Sequence, residues 1–511
     1  MKKNAVRVLT AIFAVSLALA ACGGGQARDT NRLIVIAPGG EAPSLDPVLA
    51  NHPASSQVMR QIYNTLFNQD SATLAILPGL AERYQFEDDA NGQPTRLRLF
   101  LRQGVRFHNG DYLTAGDVRF SLERAAASPV IGFISRQIQS VEVIGDYEVL
   151  VTLVAPFMPI LNNLAHTAMS IVSERAVIEG GADFARNPVG TGPMKFVNWI
   201  AGDRIELTRW DGYFGPAPRI RDITIRHISD PATALLELET GGADILLTVT
   251  PHDIGRVQAD PNLRLIRTMG LGMNFIGLNN SRPPLDNVLV RQAIAHAVDK
   301  DALVRSVFQG VGRPGSAPVP STVWASAAGQ LQPHEFNPDR ARELLAQAGF
   351  PNGFATTITA ANAASPRDTA ELLRNMLAQV GIDAEIRILE AAAWGTFSAD
   401  GLQDIGIHSW STVTGDPDYA LEILHSRSHG AAGNRVFYSN AEVDRLLDAA
   451  RMETDRGRRE QLYLEAQRII HSEAPWIYTH EIEIVAATRS DVRGFVASST
   501  VHHPLWTVYF E

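Results

Sequence analysis

The sequence has almost no cysteine and no excess of positive charge. Cys22 is the only cysteine among 511 residues, so an intramolecular disulfide is excluded. Acidic residues outnumber Lys and Arg by 55 to 45, and the formal net charge is −10. Nucleic-acid binding depends on Lys and Arg side chains that neutralise phosphates, so this balance argues against a nucleic-acid partner.

The motifs of common hydrolases and nucleotide-binding proteins are also missing. The sequence has no G-x-S-x-G, and His480-Glu481 lacks the second histidine of a zinc-protease helix. Gly190-Thr191-Gly192 lacks the Walker spacing and its Lys-Ser/Thr pair. The 14 histidines are scattered, so we expect neither a metal site nor a cofactor. An extracytoplasmic hydrolase is therefore only a remote alternative.

Long apolar runs are absent except near the N-terminus. Lys2, Lys3 and Arg7 precede an apolar run over residues 8–19 that is too short to span a bilayer comfortably. The run ends in Leu-Ala-Ala-Cys, which resembles a bacterial lipobox. We predict that residues 1–21 are a lipoprotein signal peptide, that Cys22 is lipidated, and that residues 22–32 are a flexible tether. The alternative is an ordinary signal peptide with an incidental cysteine. In both cases we expect an extracytoplasmic protein.

The most informative stretch covers residues 97–125. Leucines at 97, 99 and 101 alternate with other residues, which predicts a half-buried strand. Asn109-Gly110 predicts a tight turn, and Thr114 with Asp117 predicts the N-terminus of a capped helix. Farther along, Ser439 with Glu442 predicts a second capping box, and residues 505–510 predict a C-terminal strand.

The exact string over residues 97–125 resembles the signature of the extracytoplasmic solute-binding proteins of the peptide/opine/nickel family, which are capture subunits of ABC importers. Three further pieces are similar to motifs of that family. They are Ser-Leu-Asp-Pro at 44–47, NPVGTGPMKF at 187–196 and VRQAIAHAVDK at 290–300. The resemblance runs from residue 44 to the C-terminus.

The resemblance implies an α/β protein with a bilobal, periplasmic-binding-protein type II-like fold (cluster C) that closes by a hinge on its ligand. Lobe Ia would comprise residues 33–58, 187–270 and 485–511. An extra subdomain, lobe Ib, would be inserted over 59–186, and lobe II would cover 271–484. The implied partners are an ABC permease with its ATPase and a membrane through the lipid anchor, and the protein is expected to be a monomer.

The ligand would be bound around residues 405–419. Trp410 is predicted at the end of a strand, as an aromatic wall of the cleft or else as a core residue. In peptide-binding members an Asp three residues after the matching Trp pairs with the ligand's amino group, and here that position is Val413. Asp416 and Asp418 are the nearest acids, although Asp416 beside a proline is also typical of a turn. The Arg-Pro-Tyr that contacts the ligand carboxylate in dipeptide binders is absent as well. Alignment adds Asn274 and Tyr63 as candidates.

The stretch from Trp410 to Leu421 resembles the branch of the family that is assigned to glutathione import. Glutathione carries two carboxylates, so its pocket should offer at least one cation, and Arg435 is the best placed in sequence. The sequence thus predicts capture of a short peptide or peptide-like solute, with glutathione the sharpest choice. An oligosaccharide, an opine or a metal complex in the same fold is the alternative, and a sensor-coupled or chaperone-like binder also stays open.

Overall fold

Two long antiparallel strands organise the molecule. The computed structural model describes residues 29–37 and 40–511. Strand β12 has 16 residues and strand β16 has 14, and they pair from Leu263 opposite Arg489 to Gly277 opposite Trp476. Their register shifts between Met269 and Met273, which marks a break in the middle of the pair.

The structure has two kinds of regular element, joined by loops and short 3-10 turns. The strands are β1 Arg32–Ala37, β2 Phe67–Gln69, β3 Ile76–Pro78, β4 Ala81–Glu87, β5 Arg96–Leu101, β6 Ile138–Gly145, β7 Glu148–Leu153, β8 Met194–Ile200, β9 Arg204–Arg209, β10 Asp222–His227, β11 Ile245–Leu246, β12 Leu263–Leu278, β13 Ala355–Ala361, β14 Asp383–Leu389, β15 Ile405–Ser411, β16 Trp476–Arg489, β17 Val492–Arg493 and β18 Tyr509–Phe510. The helices are α1 Pro53–Ile62, α2 Ala115–Ala127, α3 Gly132–Ser135, α4 Ile160–Asn163, α5 Glu174–Gly180, α6 Pro231–Thr240, α7 Ile254–Ala259, α8 Val288–Ala297, α9 Lys300–Ser306, α10 Pro338–Gln347, α11 Ala364–Ala378, α12 Ala391–Ala399, α13 Pro417–Leu421, α14 Ala441–Met452 and α15 Arg456–Glu473.

The long pair sits in the middle of a ten-stranded sheet of order β14-β13-β15-β12-β16-β11-β1-β10-β9-β8. On one side, β15 pairs with the second half of β12, from Gly272 to Leu278, and β13 and β14 continue the sheet. On the other side, β11 pairs with the C-terminal end of β16, where Ile245 lies opposite Thr488, and β1, β10, β9 and β8 follow. We call these halves the second and the first lobe. Each long strand therefore has one end in the first lobe and the other end in the second lobe.

A separate four-stranded antiparallel sheet, β4-β5-β7-β6, carries helix α2 against it and is inserted in the first lobe. The leucines of β5 are buried and its other residues are partly exposed, so the predicted half-buried strand is confirmed. Thr114 and Asp117 form the predicted capping box of α2. The inserted sheet has its own apolar core, which is formed by buried residues from Val48 to Ile171.

Two motifs that lie far apart in sequence meet in space. The turn after β5 places His108 Nε2 at 2.9 Å from the carbonyl oxygen of Gly192. The backbone N–H of His108 donates to the carbonyl of Gly190, also at 2.9 Å. The Gly192 N–H donates to Ile62 at the end of α1 at 2.7 Å. A Cβ on Gly192 would lie 2.5 Å from the carbonyl carbon of Ile62, so the glycine permits a close backbone approach.

Two local predictions are wrong in their details. Helix α14 is capped by Asn440, whose side chain accepts from the N–H groups of Glu442 and Val443, and not by Ser439. An Asx side chain adjacent to the first helical residue reaches these donors better than a serine one residue earlier. The C-terminal strand covers only Tyr509 and Phe510, because it pairs with the two-residue strand β17 alone.

The two lobes contact each other across the inserted subdomain. The carbonyl of Thr414 accepts from the amides of Gln69 at 3.0 Å and Asn162 at 3.2 Å. The backbone N–H of Met158 donates to the carbonyl of Arg451 at 2.8 Å. These bonds join side chains and backbone of the first lobe to the second, so the two lobes are in contact in the described form.

Candidate ligand cleft

Three adjoining cavities follow the chain from β15 to α13. The main cavity, of about 370 Å³, lies in the second lobe and is lined by β15, by α11 and α12, and by Arg435. The interlobe cavity, of about 110 Å³, lies between Phe133 of the inserted subdomain and Trp410 of the second lobe. The small cavity, of about 20 Å³, lies between Val413 and the first lobe. Trp410 lines both the main and the interlobe cavity. Thr414 lines the interlobe cavity, and its neighbour Val413 lines the small cavity.

Stacked rings form one wall of the main cavity. The His408 ring lies between Phe275, at a centroid distance of 5.3 Å, and Trp394, at 5.0 Å. Phe275 in turn stacks on Trp476 at 3.8 Å. Burial, with Arg435 nearby, lowers the pKa of His408 to about 3, so this ring is neutral at physiological pH. The wall is therefore uncharged and aromatic, with Phe275 stacked on His408 and Trp394 tilted against it.

Arg435 is the one charged side chain among the described residues that line the main cavity. Arg435 donates to the carbonyl of Gly395 and to Ser398 Oγ, the latter at 3.1 Å, and burial lowers its pKa. Within residues 29–37 and 40–511, no carboxylate forms an ion pair with Arg435. Asn274 Nδ2 lies 3.0 Å from His480 Nδ1. An arginine bonded only to neutral acceptors keeps an uncompensated positive charge, which suits an anionic group of a ligand.

Trp410 separates the main and interlobe cavities. It stands at the end of β15, as predicted, and stacks on Tyr419 at 5.6 Å. In the part of the chain that the structure describes, its Nε1–H has no hydrogen-bond acceptor. The indole thus offers an apolar face and carries a buried Nε1–H without a described acceptor, although it also contacts the core of the second lobe.

The two candidate acids have arginine partners inside the protein. Asp416 is fully buried, pairs with Arg459 Nη2 at 2.7 Å and caps α13 by accepting from Asp418 N–H at 3.0 Å. Asp418 lines the interlobe cavity and is bound by Arg451, which also binds Glu422. Burial raises the pKa of Asp418 in spite of Arg451. Only Asp418 of these two therefore lies at a cavity.

The other candidates lie in different places. Val413 is partly exposed and lines the small cavity. Tyr63 is buried in the first-lobe core, where its hydroxyl donates to the carbonyl of Leu45 at 3.0 Å, and it lines none of the three cavities. Cys22 is outside the described residues. The structure thus brings Trp410, Val413, Asp418, Asn274 and Arg435 to the cleft, and gives Asp416 and Tyr63 contacts inside the protein.

Sequence reasoning missed several residues of the cleft. They are His408, Phe275 and Trp394 of the stacked wall, and Arg60, His166 and His502 at the small cavity. His408 lies only two residues before Trp410 on the same face of β15, so strand periodicity could have found it. The others come from segments separated by long stretches of chain, and no local pattern indicates that they meet.

Comparison with known proteins places this geometry in a family. The model of the bacterial extracellular solute-binding proteins, family 5, middle part, matches residues 75–432. The chain belongs to family 5 of the extracellular solute-binding proteins. The glutathione-binding protein GsiB of Pectobacterium atrosepticum is 32% identical over 474 residues, which cover 90% of this chain and 91% of that protein.

Two solved structures of similar architecture support this assignment to family 5. HbpA2 from Haemophilus parasuis has a TM-score of 0.87 at 28% identity and covers 94% of this chain and 100% of its own. DppA from Helicobacter pylori, an ABC transporter-associated periplasmic binding protein in complex with the peptide STSA, has a TM-score of 0.77 at 29% identity, with 94% and 98% covered. The predicted family and the α/β type II fold are confirmed, and the chain is a family 5 solute-binding protein of ABC importers.

The described residues hold neither a membrane-spanning helix nor a cluster of metal-ligating side chains. In residues 29–37 and 40–511, no helix is long and apolar enough to cross a membrane. In the same residues, no group of three or more His, Cys, Asp or Glu side chains could hold a metal ion.

Proposed function

We propose that this protein captures a short peptide-like solute that carries carboxylates, with glutathione the leading candidate, and delivers it to an ABC permease by hinge closure. The observation that carries the proposal is the main cavity. It pairs an uncharged wall of stacked rings with Arg435, whose charge no described carboxylate neutralises. The likeness to glutathione-binding proteins at 32% identity supports the choice of ligand.

The polar groups of the cleft define which ligand contacts are to be expected. Arg435 would bind one carboxylate, and the Trp410 Nε1–H, which lacks an acceptor among the described residues, would donate to a peptide carbonyl. Of the two candidate acids, Asp418 is the one that could also contact the ligand's ammonium, because it lines the interlobe cavity beside Glu422 and Arg451, whereas Asp416 lines none of the three cavities. Val413 contributes an apolar contact from the second lobe.

Hinge closure is proposed at the midpoint of the long strand pair. The register shift between Met269 and Met273, opposite Glu483 and Glu481, supports a lobe boundary at 270/271 and lies close to the second boundary proposed at 484/485. The inserted subdomain is proposed over 59–186. The hydrogen bonds that Thr414 accepts from Gln69 and Asn162 are formed between the lobes, and opening would break them. A ligand that binds only the native closed form should raise the melting temperature.

Calorimetry on the purified protein tests the ligand class. The titrants are glutathione, dipeptides, tripeptides and neutral oligosaccharides. Micromolar binding of glutathione, about −8 kcal/mol, would support the proposal, since a few charge-assisted hydrogen bonds and aromatic contact supply that much. Binding of neutral sugars with failure of every zwitterion would contradict it, and turnover of the bound ligand would favour an enzyme.

Membrane attachment is proposed from the sequence alone. Residues 1–21 would be removed and Cys22 lipidated, which would hold the mature, monomeric protein at a membrane beside its permease. Cys22→Ser should give a soluble, uncleaved or differently cleaved product in cell fractionation. Normal maturation and membrane retention of that variant would contradict lipidation.

A further inference from the structure

The small cavity contains an arginine without a carboxylate partner. Arg60 stands in the last turn of α1, and its guanidinium lies 5.7 Å from the ring of Trp506. Across residues 29–37 and 40–511, Arg60 forms no ion pair, and the only charge interaction that raises its pKa comes from Tyr213. Burial lowers the pKa of Arg60, but a guanidinium stays charged at neutral pH. A cation without a counter-ion is thus held at the cleft.

Hydrogen bonds fix the helix and the C-terminal segment on both sides of this arginine. Gln57 and Gln61, on the same helix, bind the backbone of the C-terminal segment: the His503 N–H donates to Gln57 at 2.8 Å, and the Leu505 N–H donates to Gln61 at 2.9 Å. Both glutamine amides also donate to the His503 carbonyl at 3.0 Å. These four bonds hold the segment from residue 502 to residue 506 against helix α1, so the surroundings of Arg60 are set before a ligand arrives.

The rest of the small cavity is neutral. Thr167 is 5% exposed, and its hydroxyl has no hydrogen-bond partner among the described residues. His166 and His502 are 6.4 Å apart, and burial lowers the pKa of His166 to about 4 and that of His502 well below its usual range. Both rings are therefore uncharged at pH 7. Val413 faces them from the second lobe, and no acid lines the cavity.

We infer that Arg60, with the hydroxyl of Thr167, binds a carboxylate of the ligand at the end of the cleft where peptide-binding relatives carry an acid for the ligand's amine. The polarity of this end is thus reversed in this chain. The inference rests on the proposed function and sharpens it, because Arg435 in the main cavity is a second cation that no described carboxylate neutralises. The ligand class becomes an extended molecule with two separate carboxylates.

The size of the cavity agrees with a terminal group. A volume of about 20 Å³ holds a water-sized group in the described form and excludes a whole side chain. A carboxylate accepts two hydrogen bonds from a guanidinium in parallel and has further lone pairs for a hydroxyl. Closure of Val413 over this group would exclude water and strengthen the pairing.

The test is a thermodynamic cycle between protein and ligand, measured by calorimetry. The proteins are wild type, Arg60→Met and Thr167→Val. The titrants are glutathione and its two monoamides, each with one carboxylate converted to a carboxamide. We expect Arg60→Met to weaken glutathione binding by about tenfold or more, as the loss of a charge-assisted pair does. One monoamide should bind wild type that much more weakly and should lose little more on Arg60→Met.

Controls separate this role from a structural one. Thr167→Val keeps the shape of the side chain and removes only the hydroxyl, so it should weaken glutathione binding without lowering the melting temperature. Arg209→Met removes a partly exposed arginine that pairs with Asp211 and does not line the small cavity, and it should leave affinity unchanged. A structural effect of Arg60→Met would weaken glutathione and both monoamides equally, and that result would overturn the inference.

The outcomes also distinguish this inference from the proposed function. Glutathione binding that is unchanged by Arg60→Met overturns the inference alone. Failure of wild type to bind glutathione and every other carboxylate-bearing titrant overturns the proposed function, and the inference with it. Loss of binding in Arg60→Met that is confined to glutathione and one monoamide supports both.

Discussion

Replacement of Asp416 by Asn tests whether this acid serves the fold or the ligand. The carboxylate is fully buried and pairs with Arg459 at 2.7 Å, and Arg459 is itself only 8% exposed. Asn keeps the hydrogen bond that caps α13, because its side-chain oxygen also accepts from a backbone N–H. The change therefore removes the negative charge and little else.

We expect Asp416→Asn to lower the free energy of unfolding by about 3–5 kcal/mol, since it leaves the buried Arg459 charge uncompensated. Asp211→Asn is the matched control. It breaks an ion pair with Arg209 in which the aspartate side chain is 82% exposed, so it should cost no more than about 1 kcal/mol. Urea denaturation of the ligand-free proteins, followed by tryptophan fluorescence, measures both values.

The double variant Asp416→Asn with Arg459→Met provides the second half of the test. Because it removes both charges, it should recover much of the lost stability. Affinity for the ligand should be nearly unchanged in this double variant, since Asp416 lines none of the three cavities. The reasoning is refuted if Asp416→Asn unfolds at the wild-type urea concentration, or if ligand binding is abolished while stability is intact.

Three further changes probe the contact of Gly192 with helix α1, the buried His108 and the cleft. Gly192→Ala should destabilise the protein by about 1–3 kcal/mol, because the new Cβ would lie 2.5 Å from the Ile62 carbonyl carbon. Gly255→Ala on α7 is the control, because a Cβ there would have no neighbouring atom within 4 Å, and it should not destabilise the protein. Equal shifts of the two melting temperatures would contradict this. Burial lowers the pKa of His108 to about 4, so as the pH falls the unfolded chain binds a proton at this histidine before the folded protein does. The contribution of His108 to the free energy of unfolding is therefore fully present above pH 6.5 and falls by up to about 1.4 kcal/mol per pH unit towards pH 4. Urea denaturation at a series of pH values measures it, and a His108→Gln variant that kept the wild-type slope would exclude this histidine as a cause. Trp410→Ala should weaken ligand binding by about tenfold or more, and Trp410→Phe should restore part of it in calorimetry; equal affinities of all three would place this ring outside the site.

Much of the fold follows from local patterns that act over short distances. Alternating leucines gave β5, and the Thr114–Asp117 pair gave the start of α2, because both depend on residues within one turn or one strand. Helix α14 was placed correctly but its cap was not, since Ser439 and Asn440 are both good caps and only the backbone geometry selects one. The ten-stranded sheet could be expected only through the family resemblance, because β12 and β16 are separated by about 200 residues.

The cleft was less predictable because its chemistry depends on which charges are already paired. In the sequence, Asp416 and Asp418 are equally good candidates for an ammonium contact. In the structure, Asp416 is bound by Arg459, 43 residues away, and Asp418 is bound by Arg451, 33 residues away. Of the two pairs, only Asp418 with Arg451 lines one of the three cavities. The same logic applies to the cations. Arg435 and Arg60 are 2 of 45 Lys and Arg residues, and nothing local marks them. They stand out because no described acid pairs with them where they line the cleft, and that property exists only after the chain has folded and the other charges have found their partners.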